Sequence, residues 1–160
     1  MKKIDEVRLF YEISNALNEH MDLKKSLYTV LDILAENLDM VRGTVTILNP
    51  LRNEISIEVA HGLSQVAMEK GKYRLGEGVT GNVIEKGQPV AIPKISEEPL
   101  FLDRTASRKN KDREEHSFFC VPVKKGNQVI GALSADRIYD ESFSLKDGMK
   151  ILSVVATMIA

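Results

Sequence analysis

Cys120 is the only thiol among 160 residues. With His116 before it and Asp136 after it, nitrogen, sulfur and oxygen donors would be available to a non-haem iron if neighbouring strands converged. The plainer reading of a lone cysteine between Phe119 and Val121 is a small hydrophobe packed in a core. Without a second cysteine the chain has no intrachain disulfide, no Cys-x-x-Cys redox pair and no zinc site needing two thiolates. Gly76, Gly78 and Gly81 have the spacing of a dinucleotide fingerprint, with Glu97 and Glu98 where a ribose-binding acid would be sought. That chemistry needs a strand-helix-strand crossover, and these glycines instead follow a hairpin and a short helix. The same run extended to Val83 mimics a kinase glycine loop, and Val90 to Lys94 echoes a lysine strand. Both are decoys, because the His-Arg-Asp and Asp-Phe-Gly triplets and a Walker loop are all missing. His20 and His61 are isolated at element ends, with no serine nucleophile or second histidine at a useful spacing.

One further polar stretch bears on chemistry. Arg104, Arg108, Lys109, Lys111 and Arg113 alternate with Asp103, Asp112, Glu114 and Glu115, so their charges nearly cancel. The segment reads as a solvated loop or as a lid over a pocket, with one arginine fork holding a carboxylate or phosphate.

The elements that would position these groups follow from periodicity. Val7, Phe10, Ile13 and Leu17 recur at helical steps and predict a helix over about 4–20, and Asp22 caps a second one to about residue 38. The period then becomes two at Val45, Ile47, Ile55, Ile57 and Val59, broken by Asn49-Pro50-Leu51-Arg52-Asn53, which predicts an antiparallel hairpin. Ser64 caps a short helix stopped by Gly71, and 73–75 reads as a short strand. A glycine turn at 76–81 then enters a helix ending at Gly87. Pro89 and Pro93 confine a strand to a sheet edge. Residues 94–116 read as a long loop, and 118–123 with 129–135 as a second hairpin turned at Lys124-Lys125-Gly126-Asn127. Ser144-Leu145-Lys146-Asp147 is a capping-box pattern opening a last helix. Leu17, Leu31, Leu34, Val45, Ile47, Val121, Val123, Ile130, Leu133 and Leu152 are the expected core. In the last helix Met149, Leu152, Ala156 and Ile159 make one apolar face, and Ile151, Val154, Val155 and Met158 make another that asks for a partner helix. No stop signal follows it, so the chain is expected to be a fragment cut inside or at the end of a helix.

Composition narrows the function classes. At 43% hydrophobic and 28% charged, 1–160 is sized for a single domain. Lys plus Arg total 22 against 23 Asp plus Glu, a net charge of −1, which disfavours direct binding to nucleic acid or to an anionic membrane. Trp is absent and five Phe are present, so stacking platforms for single strands are scarce. No run of about 18 apolar residues occurs, and acids at Asp5 and Glu6 interrupt any signal-peptide pattern. A soluble cytoplasmic protein is the expectation.

The order helix, helix, hairpin, short helix, Gly76-Glu77-Gly78-Val79-Thr80-Gly81, Pro89-Val90-Ala91-Ile92-Pro93, long loop, hairpin, helix resembles a GAF domain. Together with Ser117-Phe118-Phe119-Cys120-Val121-Pro122-Val123 and Ile130-Gly131-Ala132-Leu133-Ser134-Ala135-Asp136-Arg137, it looks like the amino-terminal regulatory domain of NifA-type sigma-54-dependent activators. The resemblance implies an α+β fold: a six-stranded antiparallel sheet, terminal helices on one face, and a loop-covered pocket on the other. It implies a non-enzymatic sensor of a small effector that acts through a helical homodimer. Its targets would be the AAA+ ATPase and helix-turn-helix domains of a longer protein and, indirectly, RNA polymerase holding sigma-54. Thr80, Phe101, Arg104, Phe119, Cys120, Ser134 and Asp136 are the candidate pocket lining, with His116, Cys120 and Asp136 as an alternative iron set. Val7, Phe10, Leu17, Ile151, Val155 and Met158 are the candidate dimer interface. Relatives suggest 2-oxoglutarate, or iron held partly by an Asp and a Cys. A cyclic nucleotide fits less well: of the phosphodiesterase signature only Phe143 and Asp147 match, and Asp136-Arg137 and Gly148 depart. A ligand-free dimerisation and inhibitory module is the alternative. A methionine-sulfoxide reductase would need an attacking and a resolving thiol, which Cys120 alone cannot supply.

Overall fold

The structure is a computed structural model and describes residues 5–19, 22–97 and 115–160. Two helices come first, α1 (Glu6–Glu19) and α2 (Leu23–Leu38). The Asp22 carboxylate accepts from the Lys24 N–H at 2.9 Å and satisfies a donor that the helix itself cannot. The hairpin follows as β1 (Arg42–Asn49) and β2 (Glu54–His61), then α3 (Gln65–Lys70) and β3 (Tyr73–Arg74). Next come α4 (Gly78–Lys86) and β4 (Val90–Ile92), and a short 3-10 turn at Ile95–Glu97 lies within the expected loop. The second hairpin, β5 (His116–Lys125) and β6 (Gln128–Ile138), is longer at both ends than its apolar period implied. Most of its added residues are polar, so the alternation carried little signal there. The last helix, α5 (Leu145–Ile159), starts where the Ser144 hydroxyl accepts from the Asp147 N–H at 3.1 Å.

The strands form one antiparallel sheet in the order β3-β2-β1-β6-β5-β4. Alternation then divides the side chains between two faces. Val45, Val59, Phe119, Val121, Val123, Leu133 and Ala135 pack against the buried faces of α1, α2 and α5 in one core. Ile55, Ile92, Phe118, Cys120 and Ala132 pack against Val79, Val83 and Ile84 of α4 in a second. Both faces of the sheet are therefore covered.

Three expectations need correction. Ile47 is 42% exposed, because it sits at the turn end of β1 opposite Gly131 and Ser56, too small to cover its flank. Leu17 and Ile130 are only partly buried at the edge of the first core. Ile151 and Val155 do not form an outward face, since both are fully buried in this chain's own helix layer beside Leu152 and Ala156. The apolar groups that α1 and α5 do present outward are Val7, Tyr11 and Val154, with Met158 half-buried.

Gly131 sets how closely β6 approaches β1. A Cβ there would collide with the Thr46 carbonyl oxygen, which belongs to the backbone and cannot swing away. Gly131→Ala is expected to destabilise the fold by about 1–3 kcal/mol, as overpacking does, measured as a lower urea midpoint. An unchanged midpoint would show that the strands part without cost.

Candidate functional site

The second face carries polar groups where a covered sheet would ordinarily be apolar. Across the central strands Arg42 is opposite Asp136, Thr44 opposite Ser134 and Thr46 opposite Ala132, while Phe118 and Cys120 of β5 are opposite Asp136 and Ser134. Arg42, Thr46, Ser134 and Asp136 are all buried. The Arg42 Nε lies 3.4 Å from an Asp136 carboxylate oxygen, in an ion pair almost withdrawn from solvent. Removing one partner of such a pair typically costs about 3–5 kcal/mol, because the other charge is left buried. Thr44 and Ser134 share a hydrogen bond between their hydroxyls at 2.5 Å, and the Thr46 hydroxyl donates to the Ala132 carbonyl at 3.3 Å.

Helix α4 adds a fourth hydroxyl. Gly76 and Gly78 take φ of 84° and 67°, a left-handed turn that side chains oppose. The Asn82 amide ties this turn down by donating to the carbonyls of Gly76 and Gly78. Thr80 thereby lies over the sheet and hydrogen-bonds the Cys120 thiol. Burial pushes that thiol up to about 12, and the Thr80 bond only partly offsets the shift. A thiol this weakly acidic stays protonated at neutral pH and is a poor nucleophile.

Of the candidate lining residues, the structure brings Thr80, Cys120, Ser134 and Asp136 together. Phe119 is not among them. It points to the helix face, where its ring meets Phe143 edge-on at 6.1 Å. Phe101 and Arg104, like His20, lie outside the described residues. His116 shares the polar face but is four positions from Cys120 on one strand, about 13 Å along it, too far for both to bind one ion. No group of three or more His, Cys, Asp or Glu able to hold a metal exists among the described residues, so the iron set does not assemble there. His116 is 5% exposed, and its Nε2 finds no hydrogen-bond partner among the described residues. The Ser134 hydroxyl is engaged by Thr44, and no serine-histidine pair forms among the described residues.

Sequence reasoning missed Arg42, Thr44 and Thr46. Their signal was present as polar residues alternating with Val45 and Ile47, but that pattern reads as a solvent face until pairing with β6 shows Arg42 and Thr46 buried.

A family model described as the GAF domain matches residues 22–160. The chain belongs to the GAF domain family. It is 39% identical over 159 residues to nitrogen fixation protein VnfA of Azotobacter vinelandii, covering 99% of this chain and 30% of that protein. It is 38% identical over 156 residues to the Nif-specific regulatory protein of Azospirillum brasilense, covering 96% of this chain and 25% of that one. The chain therefore spans less than a third of the length of these relatives. Among solved structures, the GAF domain of a phosphoenolpyruvate-protein phosphotransferase from Coxiella burnetii superposes with a TM-score of 0.84 at 18% identity, over 97% of this chain and 90% of that one. Free methionine-R-sulfoxide reductase from Neisseria meningitidis, in complex with its substrate, gives 0.78 at 17% identity, over 99% and 90%. These likenesses show the α+β fold shared by the GAF domain. No helix among the described residues is long and apolar enough to cross a membrane.

Cys120 gives the site a chemical test. In native protein at pH 8, iodoacetamide is expected to leave the thiol unmodified, while urea-unfolded chain is alkylated fully, as read by intact mass. Because folding raises the thiol's pKa from 9.0 to about 12, the unfolded chain loses its proton first. The stability contributed by the protonated thiol is complete below pH about 9 and is lost progressively as pH rises toward about 12. Rapid native alkylation at pH 8 would contradict this placement.

Proposed function

We propose that the chain is the regulatory sensor domain of a NifA-type sigma-54-dependent activator and binds a small effector on the polar face. The observation that carries the reading is the polar set of Arg42, Thr80, His116, Ser134 and Asp136, all buried, with half-buried Thr44 beside them. Buried polar groups cost stability unless satisfied, and an imidazole nitrogen without a partner among the described residues leaves hydrogen-bonding capacity for a guest. Kinship with VnfA and the Nif-specific regulators supports the regulatory role. The domain would perform no chemistry: its single thiol is held protonated, so neither step of a methionine-sulfoxide reduction is available to it.

The output would run through helices. Helices α1 and α5 lie side by side, with Lys150 Nζ 3.3 Å from a Glu6 carboxylate oxygen. Val7 is 81% and Tyr11 67% exposed on the outward side of α1. A second copy pairing along this stripe would form the homodimer, and effector binding would favour one arrangement of its helices by no more than the difference in affinity between the two. In the longer protein the readers would be the AAA+ ATPase and helix-turn-helix domains, and through them sigma-54 RNA polymerase, in the cytoplasm. The near-neutral charge supports no direct contact with nucleic acid. The Arg42–Asp136 and Thr44–Ser134 pairs also satisfy one another without a guest, which favours the second reading, a ligand-free dimerisation and inhibitory module.

Calorimetric titration with 2-oxoglutarate, cAMP and cGMP separates the two. The sensor reading expects one of them to bind and Ser134→Ala to weaken it about tenfold, the worth of a hydrogen bond to a polar guest. No heat with any of the three would favour the ligand-free module. For the interface, light scattering is expected to give a dimer that becomes a monomer in the Val7→Glu/Tyr11→Glu double variant, with its thermal midpoint retained. A dimer persisting in that variant would place the interface elsewhere.

A further inference from the structure

Asp136 and Arg137 are consecutive on the central strand β6, so their side chains leave opposite faces of the sheet. On the polar face the Asp136 carboxylate meets Arg42, and its backbone carbonyl accepts from the Val41 N–H at 2.8 Å. On the helix face Arg137 Nη1 donates at 3.1 Å to the carbonyl of Leu38, the last residue of α2. A helix end leaves such carbonyls without intrahelical donors and carries partial negative charge, so a cation there is favoured twice. The same guanidinium stacks with its carbon 3.7 Å from the centre of the Phe143 ring. Phe143 immediately precedes the N-cap of α5 and touches Phe119 edge-on. Gly148 of α5 leaves the space that both rings fill. Between α2 and β1, Asp39 takes φ 54° and ψ 36°, a left-handed conformation usually left to glycine. The negative charges of Asp39 and Asp140 act on Arg137 against the cost of its burial.

We propose that Arg137 is the positioning residue that couples the polar face to the helix layer, holding the end of α2 and the start of α5 in the arrangement set by the Asp136–Arg42 pair. The proposal rests on the sensor reading and supplies its transmission step. A guest that draws Asp136 or Arg42 away from the other shifts β6 against β1. One residue later the shift reaches Leu38 and Phe143, the ends of two helices that flank α1. Arg137 touches no guest and acts only through these contacts.

Native-state amide hydrogen exchange on the 160-residue chain tests this without any ligand. Asp136→Asn perturbs the polar face, and Ser134→Ala, a gentler change on the same face, runs alongside in case the first unfolds the protein. Each is made alone and together with Arg137→Met. With Arg137 intact the polar-face variants are expected to speed exchange in residues 35–41 and 143–150 by about tenfold, within ordinary coupling energies. In the Arg137→Met background those amides are already fast, and the polar-face change adds less than about twofold. Arg137→Lys, which keeps the charge near Leu38 but not the planar stack, is expected to restore part of the response. Amides in the middle of β5 report that each variant remains folded. Equal responses with and without Arg137 would overturn the proposal, as would responses confined to the polar face. Because no guest takes part, a failure of the titrations would remove the sensor reading and leave this coupling standing, whereas additive exchange beside successful titrations would remove the coupling alone.

Discussion

Strand β6 is hydrogen-bonded on both edges, to β1 and to β5, and its register is the constraint on which both faces of the sheet depend. A slip of one residue would send Leu133 and Ala135 to the polar face and place Ser134 and Asp136 against the helices, burying a carboxylate in an apolar core. Gly131 pins that register from the β1 side, where its neighbour's carbonyl leaves no space for a methyl group. With the register fixed, the helix layer takes the apolar set and α4 closes over the other. The division between an apolar scaffold face and a polar face is thus a consequence of strand phase.

What the polar face can do is limited by what it contains. Its buried charges among the described residues, Arg42 and Asp136, are paired, its Thr44 and Ser134 hydroxyls are mutually bonded, and its thiol remains protonated. The described acids and imidazoles do not converge on an ion. Hydroxyls and an imidazole with spare hydrogen-bonding capacity are instead groups that could exchange internal hydrogen bonds for those of a guest, as the proposed effector site requires.

Most of the elements were legible in the sequence, because caps and periods are local. Asp22, Ser64, Ser144 and Gly87 each sit where their chemistry placed a helix boundary. The site was half legible. Thr80, Cys120, Ser134 and Asp136 came from family likeness, but strand phase alone could not decide which of Phe119 and Cys120, neighbours on opposite faces, belongs to the site; packing puts Phe119 among the helices and Cys120 beside α4. Arg42, Thr44 and Thr46 were invisible, since a polar alternation looks the same whether its side chains meet water or one another. The helix α5 misled for the converse reason. Its apolar stripe is wide enough for two partners, yet Ile151 and Val155 are both consumed by the chain's own core.

The central claim, that the polar face holds a small molecule, is tested most directly by native mass spectrometry of the purified chain set against its denatured mass. The account predicts a dimer carrying a non-covalent adduct of metabolite size that denaturation releases and that Ser134→Ala diminishes. A dimer of bare polypeptide mass, unchanged after incubation with 2-oxoglutarate, cAMP or cGMP, would contradict it.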